Sequence, residues 1–178
     1  LAAELTALPV TRLGVDAAVA FSHPSLILEP LGISFQLHDD GSTAVSEPVT
    51  TVAQVEKLHT VDSEDALKSS PGASSLEISA STTETSSSTT SSPQTALASV
   101  LESIRIAAGQ LDVPVIGTAG APFAIASLLV EGGSDRGFSR TRQLMLSDEG
   151  LWHALMERVT AATIASLRAQ AKAGAAAL

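Results

Sequence analysis

Short apolar runs of strand length alternate along this chain with segments of helical periodicity, and this alternation restricts the fold more than any other feature. Residues 15–21 and 113–117 are such runs; the first follows a helical segment, and the second lies between two helical segments. Runs of this kind are typical of strands that are buried on both faces of a parallel sheet covered by helices. The alternation predicts an α/β protein, but the pattern alone does not choose between a barrel and a doubly wound sheet.

Five helical segments and one further extended segment complete this prediction. The helix at residues 1–13 is expected to be interrupted at Pro9 and ended by Gly14. The helix at residues 93–108 is expected to be ended by Gly109. A second extended segment, residues 33–37, precedes a turn at residues 39–41. The helical segments are residues 1–13, 51–58, 93–108, 122–130 and 147 onward. The predicted buried positions of the second and last helices are Val52, Val55 and Leu58, and Leu151, Leu155, Val159, Ala162 and Ala169.

Residues 69–92 differ in kind from the rest of the chain, because two thirds of them are Ser or Thr. Their apolar content is too low to offset the conformational entropy that ordering would cost. We expect a low-complexity, disordered insertion. Residues 1–68 and 93–178 are then two parts of one domain.

Charge and composition exclude several classes of function. The chain has 19 acidic and 10 basic residues, a formal net charge of −9, and no Cys. This balance disfavours nucleic acid and anionic membrane surfaces, which require clustered Lys and Arg. The absence of Cys excludes disulfides and thiolate chemistry. No apolar run reaches the ~18 residues of a membrane helix. These features predict a soluble, cytoplasmic protein that binds neither nucleic acid nor membranes.

Two segments carry a family resemblance. Residues 113–133 read VPVIGTAGAPFAIASLLVEGG and are similar to the G-x-x-G-A-P-[FW]-T-x-x-x-Y-x-[VI]-E-G-G signature of uroporphyrinogen decarboxylases. Residues 4–22 read ELTALPVTRLGVDAAVAFS and resemble the family segment E-x-T-x-Q-P-V-x-R-x-G-V-D-A-A-I-x-F-S-D. The resemblance covers residues 3–62 and about 95–178, which is the whole chain apart from the Ser/Thr-rich insertion.

The resemblance implies a partial (β/α)8 barrel, incomplete at both ends. The family removes the four acetate carboxylates of uroporphyrinogen, giving coproporphyrinogen in haem synthesis. It needs no metal or organic cofactor, and it usually forms homodimers. The family segments that carry substrate-binding arginines and a late histidine have no counterpart in this sequence. We therefore expect the chain alone to be inactive.

The candidate site follows from the same resemblance and from barrel geometry. Chemistry in a barrel lies at the carboxyl ends of the strands. His23 follows the predicted strand at residues 15–21, and the turn at residues 118–121 follows the predicted strand at residues 113–117, so both are expected at one rim. The family signature places substrate-binding positions at Gly120, Ala121, Pro122 and Phe123. The turn also leads into a helix N-terminus, whose free N–H groups favour a carboxylate.

Two departures from the family fall on its catalytic positions. His23 stands where the family has an Asp whose carboxylate faces the pyrrole N–H groups, and Leu128 stands where it has a Tyr. A neutral imidazole offers one acceptor, an imidazolium would repel a developing cation, and Leu donates no hydrogen bond. Pro24 is expected to disturb the turn that orients His23. The alternatives to a decarboxylase are an inactive pseudoenzyme remnant and a corrinoid-linked methyltransferase of the same superfamily.

The other polar candidates are weak. The basic cluster of Arg136, Arg140 and Arg142 at a helix start is expected to be a solvated face. His38, His59 and His153 show no spacing typical of metal ligands, and they are expected to be surface or structural residues. Trp152 is expected in the core.

Overall fold

The computed structural model describes residues 2–61, 96–134 and 137–178. In these ranges the chain forms six α-helices, one 3₁₀ helix and four strands. In chain order they are α1 Ala2–Leu13, β1 Ala18–Val19, the 3₁₀ helix Pro24–Leu28, β2 Phe35–Leu37, β3 Thr43–Val45, α2 Val52–Glu56, α3 Ala96–Gln110, β4 Val115–Ile116, α4 Pro122–Glu131, α5 Ser139–Ser147 and α6 Glu149–Ala173. None of the helices within these ranges is long and apolar enough to cross a membrane.

Parallel pairing between β1 and β4 organises the fold. Ala18 pairs with Val115 and Val19 with Ile116. A third parallel segment begins after α6, where Ala177 bridges to Ile116 and its carbonyl accepts a hydrogen bond from the Gly117 N–H at 2.8 Å. The three parallel segments lie side by side in chain order, with helices between them. The predicted α/β class is therefore confirmed.

A β-hairpin formed by β2 and β3 lies at the end of α4. The two strands pair antiparallel, and the turn between them closes with a 2.9 Å hydrogen bond from the Gly41 N–H to the His38 carbonyl. The hairpin is fixed to α4 because Ala44 bridges to Gly133. A Cβ on Gly133 would lie 2.8 Å from the Thr43 carbonyl oxygen, so this contact requires glycine. The sequence predicted β2, as part of the extended segment 33–37, and the turn at residues 39–41. It did not predict β3.

The core is built around α6, whose predicted buried positions are all confirmed. Leu151, Leu155, Val159, Ala162 and Ala169 are at most 6% exposed. Trp152 is also buried, as predicted. The partners of this stripe come from α4 and α3, which supply Ile125, Leu129, Leu97, Leu101 and Ile104. One core thus joins residues on both sides of the Ser/Thr-rich segment. The predicted disorder of residues 69–92, and the helix start predicted at residue 93, lie outside the described residues.

The structure contradicts one prediction about strand burial. Residues 15–21 were expected to form a strand buried on both faces, but only Ala18–Val19 has strand geometry. Val19 is 50% exposed and Phe21 is 78% exposed, whereas Ala18 and Ala20 are buried. The reason is that alternate side chains of an extended segment point to opposite faces, so Ala18 and Ala20 face the core while Val19 and Phe21 do not.

Three helix predictions were also wrong in detail. α1 continues through Pro9. Pro9 removes one N–H from an exposed helix, where the freed carbonyl can bind water. α3 includes Gly109 and ends at Gln110, because a single glycine costs a helix only about 1 kcal/mol relative to alanine. Val52, predicted on the buried face of α2, is 49% exposed, because it lies at the first helical position after the Thr51 cap.

Candidate functional site

The loops after β1 and β4 meet at the carboxyl ends of the two strands, as predicted. The Ser22 hydroxyl donates to the Thr118 carbonyl at 3.2 Å, and the Thr118 hydroxyl donates to the Ala20 carbonyl at 3.1 Å. These residues are nearly a hundred positions apart in sequence. The two bonds fix the loop that carries His23 against the turn at residues 118–121.

Gln170 holds the same turn from the far end of α6. Its Oε1 accepts from the Thr118 N–H and its Nε2 donates to the Thr118 carbonyl, both at 2.9 Å. The side chain is 1% exposed. A Cβ on Gly117 would lie 2.5 Å from Gln170 Oε1, so the glycine permits this close approach. Sequence reasoning did not single out Gln170, although an amide within a buried helical stripe was the available signal.

The His23 ring is oriented by Ser25. Nδ1 accepts a hydrogen bond from the Ser25 backbone N–H at 3.3 Å and lies 2.7 Å from the Ser25 hydroxyl. Because a backbone N–H only donates, Nδ1 is an acceptor and the proton of the neutral ring lies on Nε2. Pro24 occupies the first position of the 3₁₀ helix that His23 caps. It therefore helps to form the turn, contrary to the expected disturbance.

A cavity of about 540 Å³ is lined by both of the predicted catalytic positions, His23 and Leu128. His23 lies on one side and Leu128 of α4 on another, and both side chains are half-buried. The hairpin turn contributes Asp40 and Ser42, and Phe138 completes the apolar part of the wall. The structure thus brings His23 and Leu128 together, and it adds Asp40 and Phe138, which sequence reasoning did not propose as site residues.

The four signature residues after β4 lie at different places. Gly120 lines a second, small cavity of about 20 Å³ together with Ser22 and Thr118. A Cβ on Gly120 would lie 2.9 Å from the Pro24 Cβ, so Gly120 also allows the two loops to pack closely. Ala121 caps α4 without a side-chain hydrogen bond, and Pro122 is the first residue of α4. Phe123 packs edge-to-face against Phe138 and Trp152, with ring centroids 6.1 and 5.9 Å away. The lining of the larger cavity includes none of these four residues.

Phe138 is held in an unusual backbone conformation at the cavity wall. Its φ is 48°, in the left-handed region that a bulky residue seldom adopts. Glu131, from the signature, accepts hydrogen bonds from both the N–H and the hydroxyl of Thr141, each at 2.8 Å, and so caps the helix that Phe138 precedes. Together with the Phe123 contact, this cap offsets the local strain of about 1–3 kcal/mol.

The cavity is acidic in character. Hydrogen bonds from the Ser42 side chain and backbone lower the pKa of Asp40 below its ordinary value, so the carboxylate is ionised near neutral pH. Neither Lys nor Arg is among the described residues that line the cavity. Arg140 and Arg142 are exposed and donate to the carbonyls of Glu131 and Gly137. Arg136 lies outside the described residues.

The remaining histidines are not brought together. His38, His59 and His153 are all exposed, and His153 lies 3.4 Å from Glu149 one helical turn away. In the part of the chain that the structure describes, no three His, Cys, Asp or Glu side chains are grouped so that they could hold a metal ion.

These features define an α/β protein with a ligand-sized cavity at the carboxyl ends of adjacent parallel strands. Comparison with protein families matches residues 1–78 and 68–178 to the uroporphyrinogen decarboxylase family. The chain belongs to this family.

Individual relatives agree with the family match. The chain is 39% identical over 173 residues to a uroporphyrinogen decarboxylase of Thermus thermophilus, and the match covers 97% of the chain and 42% of the relative. It is 34% identical over its whole length to the uroporphyrinogen decarboxylase of Desulfotalea psychrophila, covering 44% of that relative. The corresponding Mycolicibacterium smegmatis protein is 36% identical over 98% of the chain and 41% of its own length. The chain therefore spans less than half the length of these relatives.

Proposed function

We propose that the chain forms part of a uroporphyrinogen decarboxylase, which removes the acetate carboxylates of uroporphyrinogen without a cofactor. The family match and the names of the relatives support this reaction. The observation that carries the proposal is the common cavity of His23 and Leu128. These are the two positions at which the family resemblance expects the side chains that contact substrate.

We also propose that the chain is a portion of a (β/α)8 barrel. The three parallel segments follow one another in chain order, as consecutive barrel strands do. β1 precedes the Ser/Thr-rich segment and β4 follows it, yet the two strands pair. This pairing supports a single domain formed by residues 1–68 and 93–178, with residues 69–92 as an insertion.

The substitution at position 23 has a definite chemical consequence. Decarboxylation of an acetate arm builds positive charge on the protonated pyrrole ring, and a carboxylate near the ring N–H stabilises that charge. The only acceptor nitrogen of a neutral His23 is already used by Ser25. His23 therefore cannot accept from the pyrrole N–H in the way an Asp would, and we expect it to slow the reaction.

The test is anaerobic conversion of uroporphyrinogen by the longest reading frame that contains this chain. Products are oxidised to porphyrins and separated by their number of carboxylates. We expect slow loss of acetate carboxylates, accelerated in the His23→Asp/Leu128→Tyr double variant. A single Leu128→Tyr variant separates the contribution of the hydroxyl from that of the acceptor. If neither the parent protein nor the double variant forms product, the proposed activity is wrong.

The second candidate is an inactive remnant of the same family. It is favoured by the occupied acceptor nitrogen of His23 and by the absence of a hydroxyl at Leu128. Activity that appears only in the double variant identifies the remnant, because the scaffold is then intact and only the two side chains are missing.

A further inference from the structure

The larger cavity holds a carboxylate that does not come from the family's catalytic positions. Asp40 is the one acidic residue among the described residues that line it. The hairpin turn that carries Asp40 is fixed in place, because Val45 donates to the Gly132 carbonyl and Ser134 donates to the Thr43 carbonyl, each at 2.9 Å. The position of Asp40 is therefore set by its contact with α4 rather than by a free loop.

The Asp40 carboxylate is oriented but retains free capacity as an acceptor. Its Oδ1 accepts the Ser42 N–H at 2.9 Å. A carboxylate has about four acceptor positions, so the two hydrogen bonds from Ser42 leave about half of them available. The residue is exposed, which leaves those positions open to a ligand in the cavity.

His23 has the opposite hydrogen-bonding character. Its acceptor nitrogen is satisfied by Ser25, so the ring atom left for a ligand is the Nε2–H donor. One wall of the cavity thus supplies a donor, and the hairpin turn supplies an ionised acceptor. This arrangement suits a ligand that carries both an N–H group and a carboxylate.

We propose that Asp40 accepts the pyrrole N–H of the ligand in this protein, where the acceptor nitrogen of His23 is already occupied by Ser25. This inference rests on the proposed function, because it takes the ligand to be a pyrrole with an acetate arm. The cavity of about 540 Å³ lies within the ordinary range for small-molecule sites, roughly 300–1,000 Å³, and so accommodates one such ring.

The experiment measures binding of pyrrole-3-acetate and of its N-methyl analogue by NMR titration. The analogue keeps the acetate but has no N–H. We expect Asp40→Asn to weaken binding of pyrrole-3-acetate about tenfold, the cost of losing a charge-assisted hydrogen bond. Binding of the N-methyl analogue is expected to be unchanged or slightly tighter, because removal of a negative charge reduces repulsion of the acetate.

Asp39→Asn is the matched control. Asp39 is the neighbouring residue in the same turn, it is exposed, and it is not part of the cavity lining. The substitution changes the net charge equally, so it should leave the preference for the N–H ligand intact. Thermal unfolding of both variants by circular dichroism checks that the turn substitutions leave the fold unchanged.

Three outcomes overturn the inference. The first is that Asp40→Asn and Asp39→Asn change ligand binding equally. The second is that Asp40→Asn weakens binding of pyrrole-3-acetate and of its N-methyl analogue equally. The third is that neither ligand shows saturable binding to the parent chain. None of these outcomes decides the proposed function, which depends on turnover of uroporphyrinogen. Conversely, if Asp40→Asn weakens binding of pyrrole-3-acetate but not of its N-methyl analogue, the inference is supported even if no turnover of uroporphyrinogen is found.

Discussion

At the scale of single residues, the chemistry that the site can offer a ligand depends more on how its polar side chains are hydrogen-bonded than on which residue types are present. The sequence identified His23 and Leu128 through their family positions, but it could not show that Ser25 occupies Nδ1 of His23. That contact depends on the 3₁₀ turn opened by Pro24. Gln170 was missed because its partner Thr118 is distant in sequence, and the position of Asp40 at the cavity was missed because its segment was predicted only as a turn.

The His23 tautomer gives a direct prediction. Because Nδ1 accepts from a backbone N–H, the neutral ring should be protonated at Nε2. Nitrogen-15 NMR of the imidazole should show a protonated Nε2 and an unprotonated Nδ1. The exposed His153 serves as an internal reference. A neutral His23 ring protonated at Nδ1 would contradict the assignment.

Gln170 gives a prediction about stability. Gln170→Met keeps a side chain of similar length but removes both hydrogen bonds to Thr118. We expect the free energy of unfolding to fall by about 1–3 kcal/mol, because the partly buried Thr118 N–H loses its partner. Urea denaturation measures the change, with Gln143→Met on the exposed face of α5 as control. Similar effects of the two substitutions would show that the contact with Thr118 contributes little.

At the scale of elements, the local sequence correctly predicts the long helices α4 and α6 but does not predict the short strand β3. α4 and α6 begin at Pro122 and after Asp148, and both end at glycines with positive φ. These signals are local and were readable. β3 has three residues, too few to show alternation, and it is stabilised by pairing with β2 and with Gly133. Tertiary contacts of this kind leave no periodic trace in a single sequence.

Two glycine substitutions should have opposite effects on stability. Gly133→Ala places a Cβ against the Thr43 carbonyl, so we expect a loss of about 1–3 kcal/mol as the hairpin shifts. Gly109→Ala lies in α3 with no heavy atom within 4 Å of the new Cβ, so we expect a gain of about 0.5–1 kcal/mol. Chemical denaturation of both variants tests the pair. A stable Gly133→Ala variant would mean that the hairpin is not tightly fixed to α4.

At the scale of the whole molecule, the parts of the chain on either side of residues 62–95 pack against each other. β1 pairs with β4, α1 packs against α3, and α2 packs against α6. We expect a chain cut once between residues 61 and 96 to remain a noncovalent complex, since the pairing and the core survive the cut. Size-exclusion chromatography of the cut chain should show both pieces in one peak. Elution as two separate species would contradict a single domain.

The proposed chemistry is tested most directly by one measurement. It is the anaerobic conversion of uroporphyrinogen by the longest reading frame that contains this chain. The account predicts slow formation of porphyrinogens with fewer carboxylates. It also predicts a higher rate in the His23→Asp/Leu128→Tyr variant, which places an acceptor at position 23 and a hydroxyl at position 128. No product from either protein would contradict the account and would show that the family scaffold persists here without the family reaction.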